Sequence, residues 1–120
     1  MKIMIVDDSM AMRMIVRKTL RMAGFDGHEI AEADDGAKAL AAITAAPPDL
    51  VLSDWNMPNM TGLELLENLA KTGSKVKFGF ITTEATPDMR NRAASAGAKF
   101  LLSKPFTPES FKETLGPHIK

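Results

Sequence analysis

Short apolar runs alternate with helix-forming segments five times along this chain, and that alternation restricts the fold more than any other feature. The runs cover residues 2–6, 28–32, 49–53, 78–82 and 99–103. Four of them are almost wholly apolar, as expected for strands covered by helices on both faces. The second run, "HEIAE", alternates between polar and apolar residues and therefore suits an edge strand. Five βα units in succession predict an α/β fold with one parallel sheet.

Start and stop signals place the helices between these strands. The first helix is predicted to begin after Ser9, a typical N-cap residue, and to stop at Gly24. A fifth helix is predicted to begin at Pro108, with Thr107 as its cap, and to end near Gly116. The remaining three are predicted over residues 35–45, 62–73 and 87–97.

The chain length of 120 residues suits one domain, residues 1–120, built on an open doubly wound parallel sheet. It is too short for a closed eight-stranded barrel. On the first helix, apolar residues at helical spacing are predicted to face the core, Ile15 among them, and four basic residues are predicted to be solvated: Arg13, Arg17, Lys18 and Arg21. The nine methionines are interpreted as adaptable core filling rather than as a binding surface.

Composition and charge exclude several classes of partner. Lysine plus arginine number 15, as do aspartate plus glutamate, so no basic excess favours nucleic acid. No apolar stretch approaches membrane-spanning length, and two aspartates by residue 8 interrupt any signal-peptide core. The absence of cysteine excludes disulfides and thiolate chemistry. These features predict a soluble, cytoplasmic domain without membrane insertion.

Polar residues stand at the ends of four of the five strands. Asp7 and Asp8 come after the first strand and Asp54 after the third, while Thr82 ends the fourth and Lys104 comes after the fifth. Ligands of open α/β sheets bind beyond the carboxyl ends of the strands, so these side chains are predicted to meet at one site. None of these exits carries a glycine-rich phosphate loop, which argues against nucleotide binding.

Three convergent carboxylates need a compensating charge. Two like charges about 4 Å apart repel by roughly 4 kcal/mol at an effective dielectric constant near 20. A shared proton, a cationic side chain or a hard divalent ion could offset this repulsion. Lys104 supplies only one positive charge, and oxygen donors favour Mg²⁺ over softer metals, so Mg²⁺ is predicted. A carboxylate can also act as a nucleophile toward phosphorus, and Asp54, at the end of the central strand, is the predicted acceptor.

These residues, together with the segment "DWNMPNMTGLELL", resemble the receiver-domain signature of two-component response regulators over essentially the whole chain. The segment is similar to that of CheY-like single-domain regulators of chemotaxis. The resemblance implies a flavodoxin-like (βα)₅ fold with strand order 2-1-3-4-5. It also implies a phosphorylatable signalling switch that takes a phosphoryl group from a histidine kinase. Such a protein is a phosphoacceptor that assists its own phosphorylation and dephosphorylation, and is not an enzyme in the usual sense.

The resemblance also implies residue roles at the metal site. Asp54 would be the phosphoacceptor, and Asp8 would bind Mg²⁺ directly beside Asp54 and the backbone carbonyl of Asn56. Asp7 would support the metal through water.

Two further roles concern the phosphoryl group and the signal. Lys104 would pair with the phosphate, and Thr82 would hydrogen-bond it as the switch residue. In the family the peptide bond that corresponds to Lys104–Pro105 is commonly cis. The implied partners are a histidine kinase and a downstream target protein, with a flagellar motor switch component as a candidate.

Two positions depart from the family pattern. Leu101 stands where chemotaxis regulators carry an aromatic residue on the fifth strand, and Phe100 is predicted to point to the opposite face. Because leucine is smaller than an aromatic residue, we expect the two signalling states to differ by less burial and the population shift between them to be shallower. Thr83 comes after the switch threonine where the family often has alanine or glycine, and it predicts narrower access to the phosphoryl group.

Other functions remain as alternatives. The protein could be a phosphorelay intermediate that passes the phosphoryl group onward, or a receiver-like interaction module that works without phosphorylation. The presence of all three acids and the lysine argues against the module. A metal-dependent phosphatase with an aspartate nucleophile is the third alternative, but the typical D-x-D-x-T pattern is missing because "VDDSM" places its acids side by side.

Overall fold

The computed structural model of the protein describes residues 1–119 and contains one five-stranded parallel sheet covered by helices on both faces. The strand order is β2-β1-β3-β4-β5, as predicted, and β2 lies at an edge. In chain order the elements are β1 Lys2–Val6, α1 Met10–Met22, β2 Glu29–Ala33, α2 Gly36–Ala45, β3 Leu50–Ser53, α3 Gly62–Lys71, β4 Lys77–Thr82, α4 Pro87–Ala96, β5 Phe100–Ser103 and α5 Pro108–Leu115.

The predicted elements are all present, with small shifts at their ends. β2, β3 and β5 begin one residue later than predicted and β4 begins one residue earlier. The predicted caps are confirmed: the Ser9 hydroxyl accepts a hydrogen bond from Met12 N at 3.2 Å, and Thr107 caps α5. Gly97 ends α4 with a φ of 101°, a left-handed conformation that favours glycine.

Two apolar clusters hold the helices to the two faces of the sheet. One lies under α2, α3 and α4 and includes Val51, Leu65 and Phe80, and the other lies under α1 and α5 and includes Ile5 and Phe111. Of the four runs predicted to be buried on both faces, those of β1, β3 and β4 are buried apart from the first residues of β1 and β4. The prediction is wrong for β5, where only Leu102 is buried, because β5 lies at the second edge of the sheet. This double coverage leaves the strand ends as the open part of the sheet.

The register between strands decides which residues meet at the carboxyl edge. Val6 pairs with Ser53, so the next residues along each strand, Asp7 and Asp54, leave the sheet side by side. Asp54 N donates to Val6 O at 2.9 Å, which extends the ladder by one bond beyond the strand. Lys104 N donates to Thr82 O at 2.8 Å in the same way at the other side of the edge.

The outer face of α1 differs from the prediction. Ile15 is 48% exposed, and three methionines on the same helix are more exposed still: Met10 at 65%, Met14 at 64% and Met22 at 62%. The core-filling interpretation is therefore wrong for these methionines, and Ile15 does not face the core. The physical reason is that α1 buries only a narrow stripe, Val16, Thr19 and Leu20, against the sheet and α5.

The basic residues of α1 are also not uniformly solvated. Arg13 and Arg17 both form ion pairs with Glu32 on β2, at 2.9 Å and 2.6 Å, whereas Lys18 and Arg21 are exposed as predicted. The edge strand brings Glu32 beneath one side of α1, so half of the predicted solvated stripe is paired. None of the helices in the described part of the chain has the length and hydrophobicity needed to cross a bilayer.

Candidate functional site

Three carboxylates meet at the carboxyl edge of the sheet. Asp7, Asp8 and Asp54 each place one side-chain oxygen within 4.8 Å of the other two. Asp7 is buried, Asp54 is partly buried and Asp8 is exposed. The cluster is therefore closed on the sheet side and open to solvent on the side of Asp8, so a small ligand has access to it.

The side chain of Asp7 is held by its neighbours. Its Oδ1 accepts a hydrogen bond from Ser9 N at 2.9 Å, and its Oδ2 accepts one from Lys104 Nζ at 3.5 Å. The backbone N–H of Asp7 donates to Ala33 O at 3.1 Å, which ties it to the edge strand. The Asp7 side chain is thus held in a fixed position at the buried side of the cluster.

Asp54 is held at the end of the central strand. Its Oδ1 accepts a hydrogen bond from Trp55 N at 2.8 Å and lies 3.6 Å from Lys104 Nζ. The loop after Asp54 packs against the start of α3, where a Cβ atom at Gly62 would clash with Asp54 O. Only glycine fits that position, because a Cβ atom would displace the backbone of Asp54.

Electrostatics in the cluster disfavour a charged Asp54. Burial raises the pKa of the Asp54 carboxyl, and the charges of Asp7 and Asp8 raise it as well. Lys104 and the Trp55 N–H lower this pKa without cancelling the rise. One ammonium does not balance three carboxylates, so the site retains an excess of negative charge. Hard oxygen donors with excess negative charge and one open side fit a divalent cation such as Mg²⁺.

Lys104 reaches the cluster from the end of β5. Its side chain is only 11% exposed, and its ammonium lies between the carboxylates of Asp7 and Asp54. The Lys104–Pro105 peptide bond is cis, as the resemblance implied.

The other two predicted site residues lie in the same region. Thr82 is fully buried at the end of β4, and its Oγ1 accepts a hydrogen bond from Glu84 N at 3.3 Å. Asn56 is exposed two residues beyond Asp54 in the loop that leads to α3. The structure therefore brings the three acids and Lys104 into direct proximity, with Thr82 and Asn56 on the adjoining strand end and loop.

The two residues that depart from the family pattern have different surroundings. Leu101 packs against the cluster under α2, α3 and α4, whereas Phe100 packs on the opposite face. The predicted opposite orientation of Phe100 and Leu101 is confirmed. Thr83 is exposed at the mouth of a cavity of about 320 Å³ whose other lining residues are Met12, Ile15, Lys104, Pro105 and Phe106. None of the three acids lines this cavity, so the narrowing of access to the phosphoryl group by Thr83 stays a prediction.

Sequence reasoning missed one contact at the site. Arg13 Nη1 donates to the backbone carbonyl of Asp7 at 2.6 Å, while its Nε donates to Glu32 at 2.9 Å. The one sequence feature that could have indicated this contact is the polarity of the second strand, which was interpreted only as a sign of an edge strand. The contact also requires the pairing of β1 with β2, whose register the sequence does not reveal.

Trp55 is a core residue. Its ring lies 4.7 Å from that of Phe80, centroid to centroid, and the guanidinium carbon of Arg92 lies 5.7 Å from the Trp55 ring centroid. Because its backbone N–H binds Asp54, this indole is positioned to respond to changes at the acid cluster.

The fold and the site together define a class of protein. A parallel (βα)₅ sheet whose carboxyl edge carries an acid cluster and a lysine on a cis Lys-Pro peptide is the architecture of a signal receiver. Residues 3–116 match the family model of the response regulator receiver domain, and the chain belongs to that family.

Chemotaxis proteins are among its similar relatives. The chain is 42% identical to chemotaxis protein CheY-3 of Vibrio cholerae over 118 residues, which cover 96% of this chain and 88% of that protein. It is 41% identical to chemotaxis protein CheY of Pseudomonas aeruginosa, with 96% and 93% covered. The crystal structure of Vibrio cholerae CheY4 superposes with a TM-score of 0.85 at 36% identity, covering 98% of this chain and 97% of that one. The predicted fold and family are confirmed.

Proposed function

We propose that this protein is a chemotaxis-type phosphorylatable switch that accepts a phosphoryl group from a histidine kinase on Asp54 and then changes its partner-binding face. The observation that carries the proposal is the position of Asp54, which is partly buried between two other carboxylates and 3.6 Å from the Lys104 ammonium. Membership of the receiver family and the relatives named as chemotaxis proteins support the same assignment.

Mg²⁺ is the proposed cofactor. Asp8 and Asp54 would bind it directly together with the backbone carbonyl of Asn56, and Asp7 would support it through water. When bound, the ion neutralises negative charge on the phosphoryl oxygens. The oxygen-only donor set and the excess negative charge of the cluster support this assignment.

The chain's own residues have separate parts in the proposed transfer. A carboxylate oxygen of Asp54 forms a bond to phosphorus as the phosphorus–nitrogen bond of the donor histidine breaks, and the imidazole leaves with a proton from solvent. The Lys104 ammonium offsets charge on the transferred group. Thr82 would exchange its bond with Glu84 N for one to the phosphoryl group, and that exchange would couple the site to β4, β5 and α4.

Phosphorylation of Asp54 tests this proposal directly. After incubation with Mg²⁺ and acetyl phosphate, intact-mass measurement is expected to show one added phosphoryl group that is lost on treatment with base. The Asp54→Ala variant should show no addition, because it lacks the nucleophile, and omission of Mg²⁺ should suppress the addition in the wild type. A base-labile phosphoryl adduct on Asp54→Ala would refute the assignment.

The exposed face of α1 supports a protein as the phosphoryl donor. Met10, Met14 and Ile15 form an apolar patch that begins two residues after Asp8 and continues along the helix toward the exposed Lys18 and Arg21. Exposed apolar patches rimmed by polar residues mark protein interaction surfaces. A donor docked there would present its phosphohistidine near the open side of the acid cluster.

Substituting this patch should separate the two kinds of donor. Met14→Glu is expected to slow transfer from a histidine kinase that phosphorylates the wild type, by about tenfold if docking loses about 1.4 kcal/mol. Phosphorylation by acetyl phosphate should be unchanged, because that donor needs no docking surface. Met22→Glu is a matched control, since Met22 is equally exposed but lies at the far end of α1. Equal slowing in both variants would contradict docking on this patch.

The proposed recipient of the signal is a target protein that binds the phosphorylated form. A flagellar motor switch component is the candidate, because the relatives are chemotaxis proteins. If the phosphoryl group instead moves to a second histidine protein, the protein is a phosphorelay intermediate. The proposed compartment is the cytoplasm, since a kinase draws its phosphoryl group from ATP. A module that works without phosphorylation is disfavoured because the acids and Lys104 are assembled in one site.

A further inference from the structure

The guanidinium of Arg13 joins the acid cluster to the edge strand. Arg13 Nη1 donates to Asp7 O at 2.6 Å, and its Nε donates to Glu32 Oε1 at 2.9 Å. The Arg13 side chain is only 14% exposed, although it stands on the outer helix α1. A planar guanidinium held at two points has little freedom to rotate, so it presents a fixed donor to the Asp7 carbonyl.

Glu32 is itself firmly held in its charged form. Its other oxygen, Oε2, accepts a hydrogen bond from Arg17 Nη2 at 2.6 Å. Burial raises the pKa of Glu32, but its hydrogen bonds and charge interactions with Arg17 and Arg13 outweigh burial and hold the pKa below the usual value. The carboxylate therefore remains ionised at neutral pH and anchors Arg13 to β2.

The Asp7 carbonyl belongs to the peptide plane that leads into Asp8. Because a trans peptide is planar, the direction of Asp7 C=O also sets the direction of Asp8 N–H and the position of the Asp8 Cα. Asp7 N–H is already bound to Ala33 O at 3.1 Å. Because both the N–H and the C=O of Asp7 are anchored, the backbone of Asp7 fixes the direction in which the chain enters Asp8.

Asp8 needs such a constraint more than the other acids do. Asp7 and Asp54 are buried to different degrees and accept hydrogen bonds from backbone N–H groups, whereas Asp8 is exposed. Like charge on its two neighbours favours turning Asp8 outward into solvent. We propose that Arg13, braced by Glu32, is a positioning residue that fixes the Asp7–Asp8 peptide and thereby keeps the Asp8 carboxylate in the cluster, ready to bind a divalent cation. This inference rests on the metal role given to Asp8 in the proposed function.

The direction in which Arg13→Met changes Mg²⁺ affinity distinguishes a positioning role from a purely electrostatic one. If Arg13 acted only through its positive charge, Arg13→Met would tighten Mg²⁺ binding by removing a repelling cation. If Arg13 positions Asp8, the same substitution should weaken binding, by about tenfold or more, as is typical when an outer partner of a metal ligand is removed. Arg13→Lys keeps the charge but lacks the rigid fork, so it too should bind Mg²⁺ more weakly than the wild type.

Arg17→Met is the matched control. Arg17 pairs with the same glutamate, at 2.6 Å, but its guanidinium donates to Glu32 and not to the Asp7 carbonyl. Mg²⁺ affinity is measured by titration with MgCl₂ and followed by Trp55 fluorescence. Arg17→Met is expected to bind Mg²⁺ as tightly as the wild type or more tightly, and both Arg13 variants are expected to bind it more weakly. Mg²⁺ binding in Arg13→Met as tight as in Arg17→Met would overturn the inference. If circular dichroism shows that Arg13→Met is unfolded, the Mg²⁺ affinity of Arg13→Lys decides the question.

A second measurement needs no metal and keeps this inference distinct from the proposed function. In metal-free protein, ¹⁵N relaxation of the Asp8 and Ser9 amides is expected to show increased motion in Arg13→Met and wild-type behaviour in Arg17→Met. Unchanged relaxation in Arg13→Met would overturn the positioning role even if Mg²⁺ binds. If the wild type binds no Mg²⁺ but the relaxation changes as expected, the positioning role stands and the proposed metal role fails.

Discussion

Asp54→Asn is expected to raise the thermal stability of the metal-free protein at neutral pH, although it removes the proposed phosphoacceptor. Asp54 is partly buried beside Asp7 and Asp8, and burial with like charge raises the pKa of its carboxyl. Asparagine keeps the shape and the acceptor oxygen for Trp55 N while removing the charge. A gain of about 1 kcal/mol would raise Tm by roughly 4 °C in a domain of this size.

The pH dependence of this effect has a definite sign. A carboxyl whose folded pKa lies above its unfolded value binds protons more readily in the folded state, so wild-type stability falls as pH rises from the unfolded pKa through the folded pKa. Asp54→Asn lacks that loss. The Tm difference between variant and wild type should therefore be small below the ordinary aspartate value of 3.8 and fully developed above the raised pKa.

Differential scanning fluorimetry across this pH range, with and without MgCl₂, checks the prediction. Mg²⁺ should raise the Tm of the wild type more than that of Asp54→Asn, since the variant has lost one proposed ligand charge. Asp26→Asn is a suitable control because Asp26 is an exposed acid in the loop between α1 and β2. A lower Tm for Asp54→Asn at every pH would show that the carboxylate stabilises the cluster, against the electrostatic account.

Lys104→Met is expected to have the opposite effect on the metal-free protein. The substitution removes the ammonium that lies 3.5 Å from Asp7 and 3.6 Å from Asp54, in a side chain that is only 11% exposed. Breaking a largely buried pair leaves carboxylates without their partner and should cost up to about 3 kcal/mol. Urea denaturation at neutral pH measures that loss, and Mg²⁺ should recover part of it. Mg²⁺ itself should bind more tightly, because a competing cation is gone.

The same variant tests whether Lys104 carries the signal away from the site. Addition of Mg²⁺ and beryllium fluoride, a phosphoryl mimic, is expected to shift the amide resonances of residues 84–112 in the wild type and much less in Lys104→Met. Leu101→Tyr should enlarge these shifts, because a larger side chain at that position makes the two states differ by more burial. Wild-type shifts in both variants would mean that neither residue couples the acid cluster to this face.

Local chemistry determined most of the secondary structure. Helix ends could be predicted from caps such as Ser9 and from Gly97, because a cap satisfies its own helix end whatever lies elsewhere in the chain. The acid cluster was predictable for a different reason. Parallel strands expose their carboxyl ends at one edge, so residues that come directly after neighbouring strands, such as Asp7 and Asp54, must meet there.

Tertiary structure alone decided the surroundings of those elements. Ile15 has the spacing of a core residue but is exposed, because the rotation of α1 on the sheet is set by its neighbours and not by its own periodicity. The contact of Arg13 with Glu32 and the Asp7 carbonyl depends on the register between β1 and β2, which are separated by the whole of α1. Residue types and their spacing therefore determined which groups reach the site, whereas packing and register decided which are buried, paired or left exposed.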